Sequence, residues 1–208
     1  MIILDLDDTI FQTSSMNPKI FDSAFSVLRN YYESVDLSAN VDKIITALWT
    51  NPIDVVLTQC KIPTTVVSAF YKQIESVDFN TLSITPFEDY EIMQSIEINK
   101  ILVTTGLTQL QMAKVKALEI KSDFDAIKID DPRIKPRQYK LDIFRQILIQ
   151  SKIDPKKIWV IGDNPNSELK AGKQLGMNTI QRRSASKQSS KYADYEISSF
   201  EEIVDILY

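Results

Sequence analysis

Two aspartates one residue apart, Asp5 and Asp7, follow directly on the apolar run Met1-Ile-Ile-Leu4, and Asp8 and Thr9 come next. The run is short, β-branched and bounded by polar residues, which marks a buried strand. The carboxylates therefore stand where that strand leaves its sheet. Like charges in such proximity repel by about 4 kcal/mol at about 4 Å in a surface-like dielectric. A fold tolerates them when a cation lies between them or when one is kept protonated. Oxygen-only donors suit a hard ion, Mg²⁺ above all, rather than zinc.

The chain contains no histidine. Ser-His and Cys-His catalysis and His-ligated zinc are thereby excluded, and acid–base chemistry near neutral pH falls to carboxylates, lysines, tyrosines or metal-bound water. The single cysteine, Cys60, excludes an internal disulfide framework and reads as a small buried hydrophobe. A net charge of −4 argues against nucleic acid as the main partner. With no charged leader ahead of an apolar stretch and no long apolar span, the expectation is a cytoplasmic chain with no membrane role.

The elements that position these residues follow from periodicity. Apolar strands are expected at Lys100–Thr104, Asp125–Asp130 and Lys157–Gly162, with shorter ones near Asn178–Gln181 and Tyr195–Ile197. Helical patterns lie between them, so the fold class is α/β, a Rossmann-like parallel sheet with helices on both faces. The strand ends bearing Asp5, Thr104 and Asp163 then share one edge, where open sheets bind ligands. Between residues 14 and 83 the pattern changes to four helices and no strand, among them Phe21, Phe25, Leu28 and Tyr32 at helical spacing. The expected division is thus a core of residues 1–13 and 84–208 with a helical insertion of residues 14–83, placed as a lid. The basic, serine-rich stretch from Arg182 to Lys191 reads as a solvated loop.

Asp5-Leu6-Asp7-Asp8-Thr9 resembles the first motif of the haloacid dehalogenase superfamily, a hydrophobic strand followed by Asp-x-Asp-x-Thr. Later stretches extend the resemblance over the whole chain. Thr104, closing its strand ahead of Thr105-Gly106, resembles the second motif. Gly162-Asp163 followed by Glu168 resembles the fourth. For the third motif two lysines compete. Lys135-Pro136 has the familiar dipeptide but lies far from the following helix, whereas Lys140 stands one turn before Phe144 and is preferred. The insertion resembles a C1-type cap.

The resemblance implies a Mg²⁺-dependent phosphatase acting on a small-molecule phosphoester. Asp5 would be the nucleophile and Asp7 the general acid and base. Asp5, Asp163 and the main-chain carbonyl of Asp7 would hold the metal. Thr104 and Lys140 (or Lys135) would bind phosphoryl oxygens, with Glu168, Thr105 and Gly106 in support. A phosphomutase would share all these residues. A dehalogenase would lack the second aspartate, and a non-catalytic phosphate-binding protein would have lost one of the three acids. A phosphorylation-receiver domain is shorter and has no cap-sized insertion.

Overall fold

The structure, a computed structural model, describes residues 1–183 and 188–207. Of the serine-rich stretch, residues 184–187 lie outside the described residues. Among the described residues six strands form one sheet: β1 (Ile2–Leu4), β2 (Lys100–Thr105), β3 (Ala126–Asp130), β4 (Trp159–Gly162), β5 (Asn178–Arg182) and β6 (Tyr195–Ile197). Their order is β3-β2-β1-β4-β5-β6 and every neighbouring pair is parallel. This is the doubly wound arrangement, in which the order reverses beside the first strand and opens a crevice there. Leu4 aligns with Leu102 on one side and with Ile161 on the other. The residues following β1, β2 and β4 therefore emerge together at the same sheet edge.

Parallel sheets are covered on both faces, and their strands accordingly read as unbroken apolar runs. On one face Ile3, Val103 and Val160 pack with Ile143, Phe144 and Ile147, contributed by a helix at Lys140–Ser151. Ile2, Leu4, Leu102 and Ile161 are equally buried.

The chain divides into two compact units, Met1–Thr13 with Ile84–Tyr208, and Ser14–Ser83. The second contains helices α1 (Asp22–Ser34), α2 (Val41–Thr50), α3 (Ile53–Gln59) and α4 (Thr64–Glu75) and, among the described residues, no strand. Its core is aromatic. Phe21 meets Trp49 edge-on at 5.3 Å between ring centres, and Phe25 lies 6.5 Å from Phe70. On α1, Phe25, Leu28 and Tyr32 form the buried stripe that their spacing implies.

In the sheet-bearing unit the helices are α5 (Tyr90–Ser95), α6 (Thr108–Ala117), α7 (Lys140–Ser151), α8 (Lys170–Gln174) and α9 (Val204–Leu207). Where a helical pattern is expected between β4 and β5, the chain forms a π-helical turn, Pro165–Leu169, leading into α8. Within that turn the Glu168 side chain reaches back to accept the Asn164 N–H at 2.6 Å. Among the described residues no helix is long and apolar enough to cross a membrane.

Candidate active site

Asp5 directly follows β1, and its N–H continues the ladder by donating to the Ile161 carbonyl at 3.0 Å. The chain then turns tightly. The Ile10 N–H bonds the Leu6 carbonyl at 2.9 Å, and Asp8 takes a left-handed conformation, φ +54°, that few side chains other than Asp and Asn adopt. The Asp8 carboxylate steadies this turn by accepting the Thr13 N–H at 2.8 Å.

Asp163 directly follows β4 and Glu168 lies on the π turn beyond it. Oxygens of Asp5, Asp163 and Glu168 all fall within 4.8 Å of one another, and all three residues are buried. Between Asp5 and Glu168 stands Lys140, whose Nζ is 2.8 Å from Asp5 Oδ1 and 2.8 Å from Glu168 Oε2. Lys140 is the first residue of α7. A cation there opposes the helix dipole, by roughly 0.3–1 kcal/mol, so only the two carboxylates account for its burial at this end. Burial alone would depress its pKa, but Asp5 and then Glu168 outweigh that and hold the ammonium protonated. Burial, aided by Glu168, pushes the Asp5 carboxyl up to about 7 against the pull of Lys140.

Of the two lysines weighed from sequence, the geometry brings Lys140 to the carboxylates. Lys135 is exposed, and among the described residues it is paired with none of them. Arg137, two residues on, is bidentate to Asp130 at 2.8 and 3.1 Å. Thr105 Oγ1 also donates to Asp130, and Asp131 accepts the Thr108 N–H at the start of α6. These two acids thus brace the loops beside the site.

Thr104 is buried at the end of β2. Its Oγ1 accepts a hydrogen bond from Gln111 Nε2 at 2.6 Å. Asp7 is not in the three-acid group. Its Oδ1 pairs with Lys114 Nζ at 2.6 Å and its Oδ2 accepts from Gln111 Nε2 at 2.8 Å. Sequence reading missed Gln111 and Lys114. Their signal was two polar residues set in the apolar stripe formed by Leu110 and Val115 of α6 with its caps Leu107 and Leu118.

With Glu168 taken up by Lys140, the buried carboxylates of Asp5 and Asp163 offer only oxygen within 4.8 Å of each other, and such donors fit a hard divalent cation. The motifs carried by Asp5, Thr104, Lys140 and Asp163 lie on one sheet edge. Residues 2–181 match the family described as haloacid dehalogenase-like hydrolase. The chain belongs to that family. Among the relatives of this haloacid dehalogenase-like hydrolase is the glyceraldehyde 3-phosphate phosphatase of Methanocaldococcus jannaschii, 28% identical over 109 residues. That match takes in 51% of this chain and 47% of the relative, so the chain spans about half the relative's length. A family protein of Streptococcus pneumoniae, SP0104, superposes with a TM-score of 0.72 at 17% identity, covering 100% of this chain and 97% of that one. YfnB of Bacillus subtilis, solved bound to magnesium, gives 0.64 at 18%, covering 99% and 97%. At such identities the structural likeness speaks for the fold of this hydrolase.

Proposed function

We propose that this hydrolase is a Mg²⁺-dependent phosphatase that cleaves a small phosphorylated metabolite through an aspartyl-phosphate on Asp5. The observation that carries the reading is Lys140 Nζ held at 2.8 Å from both Asp5 and Glu168 beside Asp163. A buried ammonium against the nucleophile is what a doubly negative phosphoryl group requires on approach.

Asp5 attacks phosphorus and becomes the aspartyl-phosphate, the use of a carboxylate nucleophile known for phosphoryl transfer. Asp7 protonates the leaving oxygen, then takes a proton from the water that hydrolyses the intermediate. Thr104 and Lys140 bind the phosphoryl oxygens. Asp5, Asp163 and the main-chain carbonyl of Asp7 would hold Mg²⁺, which supplies charge neutralisation for the phosphoryl group. The inserted unit Ser14–Ser83 serves as the cap that selects the leaving group. The M. jannaschii relative, a phosphatase, favours phosphate release over mutase chemistry. The second aspartate of the first motif favours it over dehalogenation. The absence of a membrane-crossing helix among the described residues and the lone cysteine accord with a cytoplasmic enzyme.

The test is a panel of phosphorylated metabolites, with and without Mg²⁺, on the parent and on Asp5→Asn. Mg²⁺-dependent release of phosphate by the parent, abolished in Asp5→Asn, is expected. Failure to turn over any phosphoester in the presence of the metal would move the reading to a non-catalytic phosphate-binding protein.

A further inference from the structure

Gln111 is fully buried, and burying an amide is unfavourable unless its polar atoms find partners. Its Nε2 carries two protons and faces three acceptors, Thr104 Oγ1 at 2.6 Å, Asp7 Oδ2 at 2.8 Å and the Thr105 carbonyl at 3.0 Å. A carboxylate and a main-chain carbonyl only accept, so the nitrogen must be the atom on this side. The other end, Oε1, is buried with no hydrogen-bond partner among the described residues. An amide that merely filled space would satisfy both ends. This one is placed to serve its donors.

Lys114 lies three residues further along α6, hence on the same helix face. It too is buried, its Nζ 2.6 Å from Asp7 Oδ1 and 5.6 Å from the centre of the Phe11 ring. One helix therefore occupies both oxygens of Asp7. The backbone makes room for the arrangement, since a Cβ on Gly106 would come within 3.0 Å of the Gln111 side chain.

We propose that Gln111 and Lys114 are positioning residues: together they set the plane of the Asp7 carboxylate, and Gln111 also sets the direction of the Thr104 hydroxyl. Because Thr104 Oγ1 accepts from Gln111, its own proton is left to be donated toward a phosphoryl oxygen. Because Asp7 is gripped through both oxygens, its carboxylate cannot swing freely about its side-chain bonds and stays directed at the leaving-group side. Stability is a poor alternative reason for the grip, since the pair is only part-buried, with the Asp7 side chain 27% exposed, and ion pairs open to solvent contribute little. The proposal rests on the phosphatase reading, in which Asp7 and Thr104 act on the substrate.

The experiment compares Gln111→Met, Lys114→Met and Lys114→Arg with the parent, on glycerol 3-phosphate or whichever alkyl phosphate the panel shows to be turned over best, with Mg²⁺ present. Misplacing a reacting group by about 1 Å can lower a rate about 100-fold. The two methionine variants are expected to lose about tenfold or more in kcat, with KM within about threefold. Lys114→Arg is expected to recover part of the loss. The effects should also couple. Lys114→Met should do little more damage once Asp7→Asn is present, and Gln111→Met should do less in a Thr104→Val background than in the parent. If Lys114→Met does not fold, Lys114→Arg against the parent, with and without Asp7→Asn, takes its place. The proposal fails if kcat stays within about twofold of the parent, if KM alone moves, or if the losses multiply undiminished in the Asp7→Asn and Thr104→Val backgrounds. A parent inactive toward every phosphoester overturns the phosphatase reading and this proposal with it.

Discussion

Glu168 occupies the space that a side chain on Gly162 would need. A Cβ built on Gly162 would lie 2.5 Å from Glu168 Cγ and 2.5 Å from its Oε1, closer than real side-chain contacts come. The last residue of β4 is thus tied to the carboxylate that grips Lys140 from the far side. Gly162→Ala should displace Glu168 and loosen both its contacts, to Lys140 and to the Asn164 N–H. We expect a loss of about 1–3 kcal/mol in urea unfolding, the range for overpacking, together with a fall in kcat. A Gly162→Ala protein with the parent's midpoint and kcat would show that Glu168 has slack.

The two lysines should separate sharply. Replacing Lys140 by methionine leaves buried carboxylates facing one another, and removing one partner of such a pair typically costs about 3–5 kcal/mol. Turnover should drop by at least about tenfold, equivalent to roughly 1.4 kcal/mol. Exposed Lys135 should be replaceable by alanine with a change in stability inside about 0.5 kcal/mol and unaltered kcat. The opposite pattern, with Lys135→Ala crippled and Lys140→Met active, would return the phosphate-binding role to Lys135.

Asp7→Asn should fail in a different manner from Asp5→Asn. It keeps the nucleophile but loses the group that protonates the leaving oxygen and later activates water, an effect typically worth about 10²–10⁴-fold. A nitrophenol leaves readily without an acid. With nitrophenyl phosphate, Asp7→Asn should therefore give a burst of about one nitrophenol per active site and then a slow phase. An Asp7→Asn variant that hydrolyses an alkyl phosphate as fast as the parent would reduce Asp7 to a structural role.

Asp5 gives the metal-free protein a predictable response to pH. Its carboxyl is raised from 3.8 to about 7, first by burial. The folded chain therefore retains a proton that the unfolded chain releases, and the resulting stability is fully present below pH 3.8 and is lost as pH rises through about 7. Urea midpoints measured in a chelator should fall over that interval in the parent, relative to Asp5→Asn, which cannot titrate. Millimolar Mg²⁺ at pH 7 should raise the parent's midpoint. Parallel curves for parent and Asp5→Asn would remove Asp5 as the source.

The sheet and the acidic cluster were visible before the structure because each rests on local signals. Ile2–Leu4, Lys100–Thr105 and Trp159–Gly162 are apolar runs ending in chemistry-bearing residues, and short-range spacing from Phe144 sufficed to prefer Lys140. What escaped was polar and long-range. Lys114 and Gln111 meet Asp7 across more than a hundred residues, and a lysine or glutamine on a helix ordinarily faces water. By local composition Arg182 belongs to a solvated loop, yet it closes β5 buried between the Phe87 and Phe200 rings and is paired with Asp89 at 3.0 Å. A planar guanidinium stacks on aromatic faces as a lysine cannot. Nothing in the local pattern showed that those rings would be there.

The central place of β1 bears on how the protein is made. Of the six strands it is the first in chain order, yet its neighbours are β2, which begins at Lys100, and β4, which begins at Trp159. At a synthesis rate of roughly 5–20 residues per second, Ile2–Leu4 would wait several seconds or more outside the ribosome before either flank could pair. An apolar segment with both edges open invites association with other chains. The strand that leads into Asp5 is thus open to other chains early in synthesis, and destabilising changes far away in β4 should surface as poor yield of soluble protein.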